Sequence, residues 1–228
     1  MVRLEEILQE RPSCINQRPS LWSPIVDAFL GRRALHPLTL ACRYDNIDIV
    51  KKLLEYGADP NCNDGSTPLS VTYNTKEENW YEISCYLLDI GADINYKTSS
   101  SGEYSSILSD IVQYNPQIED DDDEVIESFV YALDKCDHSV VDWDRVFYDT
   151  VYSERIEIVK ILLEGQYCDV NTPSYEMKPL MTAVKDEQLE MVILLLNNGA
   201  DTSAVYNGKT AYDYAIETGN QEIIDLLS

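Results

Sequence analysis

The residues in this 228-residue chain that could do chemistry are few, and they are poorly spaced for it. Its two histidines, His36 and His138, stand about a hundred positions apart. His36 precedes a proline where a helix begins and reads as a turn or capping residue. His138 lies among acids and reads as a solvated loop residue. There is no Gly-rich phosphate loop, no Gly-x-Ser-x-Gly and no His-Glu-x-x-His. The six cysteines, Cys14, Cys42, Cys62, Cys85, Cys136 and Cys168, contain no Cys-x-x-Cys pair, which fits free thiols in a reducing compartment better than a disulfide framework. Carboxylates are abundant, but hydrolysis by two acids needs a cleft that splits their pKa values. No catalytic residue, cofactor-binding residue or metal ligand is assigned, and the chain reads as a non-enzyme that needs no cofactor.

Calcium is the one metal the sequence invites. The run Glu119-Asp120-Asp121-Asp122-Asp123-Glu124 is rich in hard oxygen donors. Calcium needs such donors interleaved around a turn, which a solid run does not provide, so the tract reads as a solvated, self-repelling loop. A second stretch, Asp59-Pro60-Asn61-Cys62-Asn63-Asp64-Gly65, brushes against the EF-hand pattern. Its glycine is one place late, and Ser70 stands where a bidentate carboxylate is required.

Charge says more than chemistry. Forty-one acids against 17 bases give a net charge of −24. Residues 103–144 hold 13 acids and one base, half of that excess. Such a chain repels nucleic acid and anionic lipid and attracts a basic partner. No stretch reaches the roughly 18 uninterrupted apolar residues of a spanning helix, and the opening residues meet acids at once, unlike a secretory leader. The expectation is a cytoplasmic protein with no membrane contact.

The elements that position any site come from repetition. One phrase returns as Gly57-Ala58-Asp59-Pro60-Asn61, Gly91-Ala92-Asp93-Ile94-Asn95 and Gly199-Ala200-Asp201-Thr202-Ser203, with a worn copy at Gly165-Gln166-Tyr167-Cys168-Asp169-Val170-Asn171. Gly57 to Gly91 and Gly165 to Gly199 are both 34 residues. Each phrase follows an apolar-periodic helix ending in paired leucines: Ile47–Leu54, Glu82–Leu88, Ile156–Leu163 and Leu189–Leu196. The glycine supplies a left-handed C-cap. A second phrase opens each unit: His36-Pro37-Leu38-Thr39-Leu40-Ala41, Thr67-Pro68-Leu69, Lys178-Pro179-Leu180 and Thr210-Ala211-Tyr212. Thr or a substitute caps free N–H groups, and proline fits the first turn. Each unit therefore reads turn, short helix, short loop, longer helix, Gly stop and extended link.

These phrases resemble the ankyrin-repeat family, with its Thr-Pro-Leu-His-x-Ala opening and Gly-Ala-Asp-x-Asn close in a unit of about 33 residues. The resemblance implies a single all-α ankyrin-repeat solenoid over 1–228, of about six helix-turn-helix units. A degenerate N-terminal cap unit, 1–33, precedes six more: 34–62, 63–96, 104–143 (degenerate and acidic), 146–172, 177–203 and 207–228 (C-terminal cap). The third keeps a first helix at Ser106–Tyr114 and a second at Val125–Leu133, its Gly-Ala-Asp replaced by Cys136-Asp137-His138. In 1–33 two apolar stretches, Leu4–Leu8 and Ile25–Leu30, are split by prolines. An end unit must cover the open core of the stack.

Function on such a fold comes from surface residues. Sixteen tyrosines are the oddity. Tyr86 and Tyr131 fall in helical stripes and read as core. Tyr96, Tyr104, Tyr175 and Tyr206 lie in the links that resemble ankyrin fingers. Tyr44 and Tyr152 lie late in first helices, at positions matching the family's concave groove. Tyrosine gives large contact area at small entropic cost. The neighbours expected on that face are Arg43, Asn74, Thr75, Ser153, Lys185 and Asp186, with Trp80 as a further contact residue or as core. The resemblance implies a protein–protein binding module, monomeric when free. The charge makes its partner a basic protein, with an inhibitor or immunity-type antagonist as one form. The alternatives are a scaffold or adaptor that binds a peptide, a pure assembly element, or a calcium-responsive or enzymatic use of the 119–124 tract. Whether the groove or the acidic third unit makes the contact stays open at this point.

Overall fold

The computed structural model describes residues 15–16, 35–63, 65–95, 106–113, 122–172 and 177–228. Twelve helices carry these residues: α1 Pro37–Arg43, α2 Ile47–Glu55, α3 Pro68–Thr75, α4 Trp80–Asp89, α5 Ile107–Val112, α6 Asp122–Lys135, α7 Trp143–Tyr152, α8 Ile156–Glu164, α9 Pro179–Lys185, α10 Leu189–Asn197, α11 Ala211–Thr218 and α12 Gln221–Leu227. Among the described residues there is no strand, only an isolated antiparallel bridge between Tyr206 and Lys209. The fold is all-α, as the repeats imply. The apolar stretches Leu4–Leu8 and Ile25–Leu30, and Glu119–Asp121 of the acidic tract, lie outside the described residues.

The chain divides into two compact units, Met1–Ile111 with Asn115–Ser139, and Val112–Tyr114 with Val140–Ser228. In the first, the short helices α1 and α3 pack together, and the longer helices α2, α4 and α6 pack in order. In the second, α7, α9 and α11 form the layer of first helices and α8, α10 and α12 the layer of second helices. Two layers bury one apolar stripe per helix. Val50, Leu53, Ile83 and Leu87 are buried in the first unit, and Val146, Leu162, Ala183, Leu195 and Ile223 in the second. Each fully buried large aliphatic side chain contributes about 1.5–3 kcal/mol relative to exposure.

Local chemistry explains where the helices start. Thr67 and Ser70 form a reciprocal capping box at α3, with Ser70 N–H donating to Thr67 Oγ1 at 3.2 Å and Thr67 N–H to Ser70 Oγ at 3.0 Å. Thr210 and Asp213 do the same at α11. His36 and Lys178 occupy the N-cap position of α1 and α9 but make no side-chain cap bond. There Pro37 and Pro179 remove one of the orphan N–H groups instead. Within three units the turn from first to second helix passes through one left-handed residue: Asp45 (φ 53°), Glu154 (φ 57°) or Glu187 (φ 57°).

Three expectations need correction. The acidic run is not a loop throughout, because α6 begins at Asp122; Asp123 and Glu124 sit in its first turn, where the helix dipole favours negative charge. Gly165 is not the left-handed residue of its phrase: its φ is −74°, and Gln166 takes the left-handed position at φ 55°. The insertion in the worn copy moves the turn by one residue. A Cβ at Gly165 would meet the Tyr167 ring at 2.2 Å, so that ring would have to move to admit any other residue. Tyr86 and Tyr131 are half-exposed rather than core. Each instead lies under a lysine ammonium, Lys51 at 5.7 Å and Lys135 at 5.1 Å from the ring centroid, and Tyr131 donates its hydroxyl proton to Asp89. That bond and burial push the Tyr131 pKa up to about 12.

The links carry a repeated rung. Asp59, Asp93, Asp137, Asp169 and Asp201 each accept the N–H of the residue two places on, at 2.8–3.0 Å. Where that residue is asparagine, its side chain bridges to the next phrase. Asn61 donates to Gly91 O at 3.0 Å and accepts from Asp93 N–H at 2.7 Å. Asn171 repeats this on Gly199 and Asp201 at 3.1 and 2.7 Å. Asn16 repeats it on Gly57 and Asp59 at 3.0 and 2.8 Å, so this residue of the N-terminal segment acts as a repeat residue. The third unit, whose closing phrase looks erased, keeps the rung through Asp137, whose N–H donates to Asn95 Oδ1 at 3.0 Å.

Candidate functional site

The second unit gathers predicted contact residues into one pocket. Its volume is about 280 Å³, and it is lined by Tyr148, Tyr152, Met177, Thr182, Lys185, Asp186, Tyr206, Asn207 and Tyr214. Tyr148 and Tyr152 are one helical turn apart on α7, so they share a face; their rings stack at 6.3 Å with 17° between planes. Tyr152 is 62% exposed. Thr182, Lys185 and Asp186 come from α9 and its C-cap. Thr182 is buried and gives its hydroxyl to Lys178 O at 3.4 Å, so it floors the pocket without offering a free donor.

A tight turn supplies the opposite wall. Asn207 (φ 50°) and Gly208 (φ 77°) are both left-handed, the geometry an Asn-Gly hairpin turn demands. Tyr206 and Lys209 exchange backbone hydrogen bonds at 2.9 and 3.0 Å. Tyr214 OH donates to Tyr206 O at 3.4 Å and holds the turn against α11. The Tyr214 ring already has a cation beside it: Lys209 Nζ lies 5.4 Å from its centroid and is ion-paired to Glu217 at 2.5 Å. Lys185 and Asp186 are both exposed. Among the described residues neither side chain has a hydrogen bond or ion pair.

Four expected contact residues, Tyr152, Lys185, Asp186 and Tyr206, therefore meet in one place. Ser153 adjoins them as the C-cap of α7. Tyr148, Met177, Thr182, Asn207 and Tyr214 were not expected. The i, i+4 spacing of Tyr148 and Tyr152 was a usable signal, as was the Asn207-Gly208 turn that aims Tyr206. In the first unit Arg43 ends α1 and Tyr44 caps it, 67% exposed. The Arg43 Nε is buried without a hydrogen-bond partner among the described residues. Asn74 and Thr75 end α3 and return their hydrogen bonds to Ser70 O (2.7 Å) and Val71 O (3.1 Å). Trp80 is 5% exposed and packs edge-on to Tyr73 at 5.9 Å, so its ring belongs to the core. Tyr96, Tyr104 and Tyr175 lie outside the described residues.

Free thiols fill small spaces rather than a reactive site. Cys42, Cys62, Cys85, Cys136 and Cys168 form no disulfide, and burial pushes the Cys42 and Cys168 thiols up to about 12, away from the thiolate that chemistry needs. Among the described residues no three His, Cys, Asp or Glu side chains gather as a metal site requires. No helix there is long and apolar enough to cross a membrane.

Helix pairs repeated along the chain, joined by Asx-turn links and displaying side chains from first helices and turns, define a helical repeat protein. Residues 21–98 and 147–228 match the family described as ankyrin repeats (3 copies), and the chain belongs to the ankyrin-repeat family. It is 44% identical over 64 residues to human ankyrin repeat and SOCS box protein 9, a match covering 28% of this chain and 21% of that protein. The chain thus aligns with about a fifth of that relative. Among solved structures it is similar to the ankyrin repeat protein EF0377, with a TM-score of 0.66, 27% identity, and coverage of 84% of this chain and 96% of that one. The ankyrin repeat domain of Bcl-3, described as a unique member of the IkappaB protein family, superposes at TM-score 0.64 with 22% identity over 86% of each chain. That likeness speaks for the fold alone. Ankyrin repeats are generally protein–protein interaction modules, and no catalytic domain is identified in this chain.

Proposed function

We propose that this chain is a non-enzymatic module that binds a basic protein, with the tyrosine-lined pocket of the second unit as one anchor point. The observation that carries the reading is the meeting of Tyr152, Lys185, Asp186 and Tyr206 around one pocket in a chain of net charge −24. Between residues 140 and 228 alone there are 16 acids and six bases. A field of that sign raises the encounter rate with cationic surfaces and repels anionic ones, while desolvated tyrosines slow dissociation. In the first unit the proposed contacts are Arg43, Tyr44, Asn74 and Thr75, and in the second Ser153 joins the pocket residues. An inhibitor or immunity-type antagonist is the form in which such a module covers a basic site on its target.

The test is calorimetry of the full chain with lysine- and arginine-rich peptides and with acidic peptides of equal length, at about 50 and 300 mM salt. The reading predicts binding of the basic set alone, weakened at least tenfold by the added salt. Salt-insensitive binding of the acidic set would favour an adaptor instead. Heat on adding millimolar calcium would reopen the 119–124 tract.

A further inference from the structure

We infer that the pocket of the second unit is a receptor for a single arginine side chain of that basic partner. This deepens the proposed function and rests on it.

Size limits the occupant first. About 280 Å³ lies just below the roughly 300 Å³ at which small-molecule sites begin, so the pocket has room for one long side chain. Its lining selects the chemistry. Four of the nine lining residues are tyrosines, whose ring faces carry negative quadrupole and attract a cation. The Tyr148–Tyr152 stack offers a flat surface, exposed at Tyr152 and half-buried at Tyr148, and a planar guanidinium lies flat against such a surface better than an ammonium does. Met177 adds apolar contact for the methylene stem. Asp186, at the C-cap of α9, brings a carboxylate with no partner among the described residues, able to take two parallel N–H bonds from a guanidinium.

The chain already uses this recognition internally. Lys51, Lys52, Lys135 and Lys209 each lie 5.1–5.7 Å from the centroid of a tyrosine ring. One of those rings is Tyr214, in the pocket wall itself. Lys185 is the single cation in the lining. It is exposed, so an incoming arginine can displace it toward water at small electrostatic cost. An anionic occupant would instead need Lys185 as its only charged contact, inside a unit with ten more acids than bases.

The full chain, isotope-labelled on backbone and tyrosine rings, is titrated with blocked Gly-Gly-Arg-Gly-Gly and, in parallel, with blocked Gly-Gly-Glu-Gly-Gly, following chemical shifts. The arginine peptide is expected to shift Tyr148, Tyr152, Asp186 and Tyr206 and to leave unit-one signals still; the glutamate peptide is expected to shift none. Tyr152→Ala and Asp186→Asn change exposed side chains and leave the fold intact, and each is expected to weaken the arginine peptide about fivefold to tenfold. Lys185→Ala is expected to leave affinity equal or raised. If the arginine peptide binds but its shifts scatter over the acidic surface and ignore Tyr152→Ala, the pocket assignment fails while the basic-partner reading survives. If only the glutamate peptide binds, and Lys185→Ala abolishes it, both fall.

Discussion

The two units place their aromatic side chains differently. In the first, Tyr73 is fully buried, Trp80 packs edge-on against it, and Phe129 is sealed in the same core. The Tyr73 hydroxyl is satisfied by Ser128 at 3.3 Å, and burial pushes its pKa up to about 12. In the second, Phe147 and Tyr214 are buried, whereas Tyr152 is exposed and Tyr148 and Tyr206 are half-buried around the pocket that Tyr214 helps to line. Both units share one helix-pair scaffold, so the periodic apolar stripe secures the core in each. Tyrosines placed off that stripe are then available for display. Aromatic content alone therefore does not mark a binding face; position relative to the stripe does.

The sharpest way to break this comparison is to delete one ring from each unit. Tyr73→Ala should destabilise the protein by about 3–5 kcal/mol, the usual cost of removing a buried aromatic. Tyr73→Phe should cost only about 1 kcal/mol, through the lost bond to Ser128. Tyr152→Ala should change stability by less than about 0.5 kcal/mol, as exposed substitutions do, while weakening the arginine peptide. Chemical denaturation of the three variants checks the stabilities, and the peptide titration checks the affinity. A Tyr152→Ala loss comparable to Tyr73→Ala would mean the pocket ring is structural.

A smaller effect tests whether both units are held by the same link. Asn61→Ala in the first unit and Asn171→Ala in the second each remove a side chain that bridges neighbouring phrases by two bonds. Each should cost about 1–2 kcal/mol, and equal losses would show that the rungs work alike. The closing asparagines Asn61, Asn95 and Asn171 were plain in the sequence, and so were the second helices, because both depend on local spacing. Asn16 and Asp137 were harder to see. Their phrases lack Gly-Ala, yet the rung needs only a carboxylate two places before a backbone N–H, and an amide in the preceding phrase. The pocket was half legible. Tyr152, Lys185, Asp186 and Tyr206 followed from register within the repeat, whereas Met177, Thr182 and Tyr214 join through packing of α9 against α7 and α11, which no local pattern encodes. Trp80 was ambiguous because the insertion before α4 hid its register.

The finest comparison concerns two turns of identical chemistry, one per unit. Asp137 and Asp201 each accept from a serine hydroxyl, Ser139 Oγ at 2.7 Å and Ser203 Oγ at 2.6 Å, as well as from that serine's N–H. Both carboxyls are held below their ordinary value of 3.8, first by the hydroxyl and then by the backbone N–H. A carboxylate with a lowered folded pKa stabilises the protein fully above its unfolded value, near pH 4, and loses that contribution as pH falls through the lower folded value. Ser139→Ala and Ser203→Ala remove the larger cause, so each aspartate should titrate closer to 3.8. Each variant should be slightly less stable than the parent at neutral pH and equal to it at about pH 2. Carboxyl-carbon chemical shifts followed from pH 2 to 6 would read both values directly. Matching shifts at the two positions would mean that the worn closing phrase of the third unit keeps the electrostatics of an intact one. An unmoved Asp137 would mean that it keeps only the shape.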